Sequence, residues 1–113
     1  MRILIKNLEL LSRIGVHGHE QGMPQPVRIN IWLDSDANGA GDKLENAIDY
    51  EAIADKIRTI LASGHINLAE TLAERIAAAC LEDSRVKKAG VRVEKLHALQ
   101  GAEAAGVEIE RSR

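Results

Sequence analysis

Lys95 closes a run in which Val91 and Val93 alternate with Arg92 and Glu94. In an extended strand the two valines share a face, and Lys95 keeps their parity. Either the strand ends there and the lysine reaches back to water along its apolar stem, or the lysine stands at the mouth of a pocket. In a pocket, partial burial would lower its pKa and suit it to moving protons. Glu70 has two readings as well. Its spacing from Asn67 fits a capping box at a helix start. Alternatively, it is a carboxylate that accepts paired N–H donors from a ligand. One carboxylate cannot fully serve both purposes. Tyr50 is the only tyrosine. Its ring is expected to pack at the start of a helix, and its hydroxyl needs a partner if buried or can exchange a proton. Glu20 sits among glycines, where a solvated carboxylate is the default. His17 and His19 form a His-x-His pair, but no cysteine or second histidine pair completes a set of ligands, so no metal is expected. His65 and His97 stand alone and read as surface or capping groups. Cys80 falls on an apolar stripe and reads as a core thiol rather than a nucleophile.

The elements that must position these groups are legible from periodicity. Residues 2–12 begin as a strand. From Pro26 to Asp34 the chain alternates, with Val27, Ile29, Ile31 and Leu33 on one face and Arg28, Asn30, Trp32 and Asp34 on the other. The turn formers from Gly15 to Gly22 join these two strands as an antiparallel pair. Asp34 to Gly41 is polar and reads as a loop. A helical period follows, with Tyr50, Ile53, Ala54, Ile57, Ile60 and Leu61 on one face, Asp49 as N-cap and Gly64 as terminator. A second helix runs from about Leu68 to Leu81 with Leu68, Leu72, Ala73, Ile76 and Cys80 as its stripe and Asn67 as its cap. Period 2 returns at Val91 and Val93 and again at Val107 and Ile109. The order ββααββ predicts an α+β domain with a four-stranded antiparallel sheet and two helices on one face. Such a sheet has open edges that need a partner or protective charges.

The 113 residues suit one domain, taken as 1–113. Phe is absent, with one Trp and one Tyr, so the core must come from Ile, Leu, Val and Ala. Acidic and basic residues are interspersed, with a formal net charge of −2. No basic stripe interleaved with aromatics appears, which disfavours nucleic-acid binding. The longest apolar runs fall far short of a membrane span, and the N-terminus lacks the apolar stretch of a signal peptide. One cysteine fits a reducing cytoplasm.

Several segments together resemble the dihydroneopterin aldolase family. They are Ile5-Lys6-Asn7-Leu8, Ile14-Gly15-Val16, Glu20 followed by Pro24-Gln25, and Ile48-Asp49-Tyr50. With them come Leu68-Ala69-Glu70-Thr71-Leu72-Ala73, Val93-Glu94-Lys95 and Gly106-Val107-Glu108-Ile109-Glu110-Arg111. The likeness runs nearly end to end. It implies the tunnelling fold, a homo-octamer of two stacked tetrameric rings, and sites between neighbouring subunits. It implies a pterin substrate and a retro-aldol reaction that needs no cofactor and no metal, because the reduced ring's C=N bond is the electron sink. By the resemblance, Glu70 and the backbone at Ala69 would hold the amino-pyrimidine edge and Lys95 would give and take protons. Tyr50, from a neighbouring subunit, would assist, and Glu20 would position the side-chain hydroxyls or a water.

Two departures bear on the activity. Leu96 follows the lysine where the family often has proline, and Lys95-Leu96-His97-Ala98-Leu99 resembles the sister enzymes that epimerise dihydroneopterin triphosphate. Ala69 replaces a larger apolar residue before the helix-start glutamate. Three expectations follow: an aldolase first, an epimerase using the same residues second, and a non-catalytic pterin-binding oligomer on the same fold third. The joint presence of Glu20, Tyr50, Glu70 and Lys95 argues against the last.

Overall fold

The strand with the cleanest alternation lies inside the fold. The computed structural model describes residues 1–36 and 39–113; Ala37 and Asn38, in the expected polar loop, lie outside the described residues. Strand β2 (Pro24–Ser35) pairs with β1 (Arg2–Arg13) on one side and β3 (Val86–Lys95) on the other. Strand β4 (Ala105–Ser112) completes an antiparallel sheet in the order β1-β2-β3-β4. Val27, Ile29, Ile31 and Leu33 are all buried, facing the helices, as their parity requires.

Helix α1 (Tyr50–Ala62) starts where expected: the Asp49 side chain accepts the Glu51 N–H at 2.9 Å. Ile53, Ile57 and Leu61 form its buried stripe. Tyr50 departs from the expected face. It is the first helical residue and is 60% exposed, so its ring does not pack into the core. Helix α2 (Ala69–Cys80) buries Ala69, Leu72, Ala73, Ile76, Ala77 and Cys80 and lies against β3, β4 and α1. The two helices thus cover one face of the sheet, and the core of the described residues is aliphatic apart from Cys80.

The start of α2 corrects the expectation twice. Leu68, not Asn67, occupies the N-cap position, with no side-chain cap, and it is 45% exposed rather than part of the stripe. The cause lies just upstream. Ile66 forms a parallel bridge with Ile14, its N–H donating to Arg13 O at 2.9 Å and its carbonyl accepting from Gly15 N at 3.0 Å. That bridge ties the chain to the end of β1, and Leu68 is still extended (φ −120°, ψ 139°). The helix begins one residue later than the box spacing asks.

Candidate active site

The site is built from three pieces of chain that the fold brings together: the loop after β1, the end of β3 and the start of α2. Lys95 is the last residue of β3, opposite Val27 on one side and Ala105 on the other. Its parity turns it to the helix-covered side, where it is only 18% exposed. There its Nζ donates to Glu20 Oε2 at 3.0 Å.

Glu20 is 7% exposed, far from the solvated carboxylate that its glycine-rich surroundings imply. Three donors hold it: the Gln25 side-chain amide at 2.9 Å, Lys95 at 3.0 Å and the His17 backbone N–H at 3.3 Å. The Gln25 amide first, then the lysine and the backbone N–H, outweigh burial and hold the Glu20 carboxyl down at about 2, well below its ordinary 4.5. Glu20 is therefore a fixed anion and cannot act as a proton donor near neutrality. Gly15 makes room for it. Its φ is 127°, and a Cβ built there would fall 2.2 Å from Glu20 Cδ. Gln25 also donates to Ile14 O at 2.7 Å, which ties the carboxylate to the end of β1.

Glu70 contrasts with it. With Leu68 at the N-cap, Glu70 is the second residue of α2 and exposed, and the capping-box reading fails. Among the described residues its carboxylate has no hydrogen bond or ion pair. It lines a cleft of about 230 Å³ together with Glu20, Lys95, Ala69 and Val107. An acceptor-only group and an ammonium on one cleft suit a ligand that offers paired N–H donors.

On its other side the Lys95–Glu20 pair borders a second cavity of about 400 Å³, lined by His17, His19 and His97. The His17 and His19 rings stack in parallel with centroids 5.6 Å apart. Among the described residues no three potential metal ligands converge. Tyr50 lines neither cavity. Cys80 is buried, and burial pushes its thiol up to about 11, so it is chemically quiet.

Sequence reasoning set Gln25 inside a motif without a role. It reads His65 as a lone surface or capping group. His65 in fact bonds two backbone groups of the Glu20 loop. No local signal marks either, because their partners are fixed by tertiary packing.

A four-stranded antiparallel sheet under two helices carries a part-buried lysine–carboxylate pair beside an unpaired carboxylate, groups of the kind that acid–base enzymes use. The family model for dihydroneopterin aldolase (FolB) matches residues 3–110. The chain belongs to the dihydroneopterin aldolase family. It is 32% identical over 96 residues to the dihydroneopterin aldolase of Streptomyces coelicolor, covering 83% of this chain and 81% of that one. It is 31% identical over 109 residues to the dihydroneopterin triphosphate 2'-epimerase of Pseudomonas aeruginosa, covering 94% and 88%. The crystal structure of Escherichia coli dihydroneopterin aldolase in complex with neopterin superposes with a TM-score of 0.92 at 25% identity, covering 99% of both chains.

Proposed function

We propose that the chain cleaves 7,8-dihydroneopterin by a retro-aldol reaction to 6-hydroxymethyl-7,8-dihydropterin and glycolaldehyde, a step toward folate. The main support is that Lys95, ion-paired to Glu20, faces the same cleft as the unpaired Glu70. In this reading Glu70 and the backbone at Ala69 take the amino-pyrimidine edge. The proton on the side chain's 2′-hydroxyl leaves and the C1′–C2′ bond breaks. Its electron pair moves into the C=N bond of the reduced ring, and C1′ is then protonated. Lys95 carries these protons. Glu20, a permanent anion, fixes the ammonium and the side-chain hydroxyls. General acid–base groups supply about 10²–10⁴-fold, and fixed orientation adds to it.

Tyr50 enters the reaction in this reading only from a neighbouring subunit, since it lies outside its own chain's clefts. A homo-octamer of two stacked tetrameric rings would supply it. Among the described residues the edge strands β1 and β4 lack an outer partner in the sheet, which favours assembly through these edges, and Leu4 and Leu11 are exposed on the face that the helices leave bare. A solution mass of eight chains by sedimentation is the expected result. A cytoplasmic location accords with the single, buried cysteine.

The second reading is epimerisation of dihydroneopterin triphosphate, in which the cleaved aldehyde is re-added on its other face. The cavity with His17, His19 and His97 favours it, because it offers room and N–H donors for a phosphorylated arm next to Lys95. The test is a chromatographic product assay with 7,8-dihydroneopterin and its triphosphate in parallel, each with chelator present. Glycolaldehyde and hydroxymethyldihydropterin are the products expected. Inversion of the triphosphate with little cleavage would make the chain an epimerase.

A further inference from the structure

The loop that delivers Glu20 runs from Gly15 to Gly22, and His65 bonds to both of its ends. The Gly22 N–H donates to His65 Nδ1 at 3.1 Å, and His65 Nε2 lies 2.7 Å from Gly15 O. These partners fix the imidazole's form. A nitrogen that faces an N–H must be bare, and a nitrogen that faces a carbonyl must carry hydrogen. The tautomer in which both bonds form carries its hydrogen on Nε2. A charged ring would present a second N–H to Gly22 and break that bond.

The two ends matter because of what lies between them. Gly15 is the residue against which the Glu20 carboxylate rests, with no room for a Cβ. Its carbonyl also accepts from the Gln21 side chain at 3.0 Å, and its N–H donates to Ile66, the residue after His65. His65 and Ile66 precede Leu68, Ala69 and Glu70. One short segment thus grips the loop of Glu20 and leads into the start of α2.

We propose that His65 is a positioning residue: as the Nε2–H tautomer it clamps both ends of the Glu20 loop to the segment leading into α2, and so sets the Glu20 carboxylate against Lys95. This rests on the proton-transfer role proposed for Lys95. The imidazole's contacts are to backbone groups, and it lines neither cavity of the site.

Asparagine and glutamine dissect the clamp. The amide of His65→Asn sits where Nδ1 does and can accept from Gly22; that of His65→Gln sits where Nε2 does and can donate to Gly15. His65→Ala removes both bonds. With 7,8-dihydroneopterin, H65A is expected to lose roughly 10- to 100-fold in kcat, with KM within about threefold. H65Q should recover most of that loss and H65N less, because Gly15 is the end that touches Glu20. Wild-type kcat in H65A, or equal losses in all three with KM rising in step, would overturn the clamp. Two NMR readouts need no turnover. Long-range proton–nitrogen spectra of the wild type should show Nδ1 bare and Nε2 protonated; the opposite tautomer would overturn the clamp. The Glu20 carboxyl, followed by carbon NMR, should titrate higher in H65A, and an unchanged titration counts against the clamp. If the wild type turned over no pterin, the functional reading would fall while the NMR measurements still decided the clamp.

Discussion

Glu20 and Glu70 are two carboxylates on one cleft with opposite surroundings. Glu20 is buried, takes three hydrogen bonds and is held ionised down to about pH 2. Glu70 is exposed on the first turn of a helix and has no partner among the described residues. The difference shows how a small chain divides the work of binding charge. A carboxylate with three of its roughly four acceptor sites taken by its own protein orients a neighbour and keeps about one site for a ligand hydroxyl. A carboxylate that its own helix leaves unpaired can accept a ligand's N–H pair.

The sharpest way to break this division is at the lysine that shares the cleft with both carboxylates. Lys95→Ala should lower kcat by about 10²–10⁴-fold while pterin affinity, measured by fluorescence titration, stays near wild type. Normal turnover would remove Lys95 from the mechanism. Glu70→Ala should act the other way, weakening pterin binding on the order of 10- to 100-fold, as loss of charge-assisted hydrogen bonds does. Unchanged affinity would return Glu70 to a structural role.

Gln25→Leu tests the buried carboxylate. Glu20 has a depressed pKa in the folded chain, so its stabilising contribution is complete above the ordinary value of 4.5 and disappears as pH falls toward about 2. Removing the donor that contributes most should raise the folded pKa. The variant should be less stable at neutral pH, and its stability should fall less steeply between pH 4.5 and 2. Urea unfolding across that range reads the slope; a slope equal to wild type would mean that Lys95 and His17 suffice. The smallest effect belongs to Asn67→Ala. Because Asn67 caps nothing, its cost should stay within about 0.5 kcal/mol, against about 1 kcal/mol for Asp49→Ala, which removes a real cap.

These contrasts mark what could be read from the sequence. The alternation of Val27 to Leu33 and of Val91 to Lys95 needs only the period of a strand, so the sheet, its covered face and the parity of Lys95 were legible, but not whether its ammonium reaches back to water or into a pocket. The Asp49 cap was legible because capping is local. The Asn67 box was equally local in appearance and wrong. The long-range bridge between Ile14 and Ile66 precedes the helix start, and no local spacing reports a bridge. The same holds for His65, whose partners lie more than forty residues back, and for Gln25, whose partners lie across the loop that the fold closes. Tyr50 has the right helical phase but stands at the first residue, beyond the edge of the packed stripe.

The face of the sheet that the helices leave bare carries the only tryptophan. Trp32 pairs across strands with Gly90 and lies over it so closely that a Cβ there would fall 1.8 Å from a ring atom, while its indole N–H reaches Glu110 at 3.3 Å. With no other indole to confuse the signal, its emission is a built-in dosimeter for water on that face. A blue shift that fades on dilution would report the coming apart of whatever covers it, without a label and without touching the cleft.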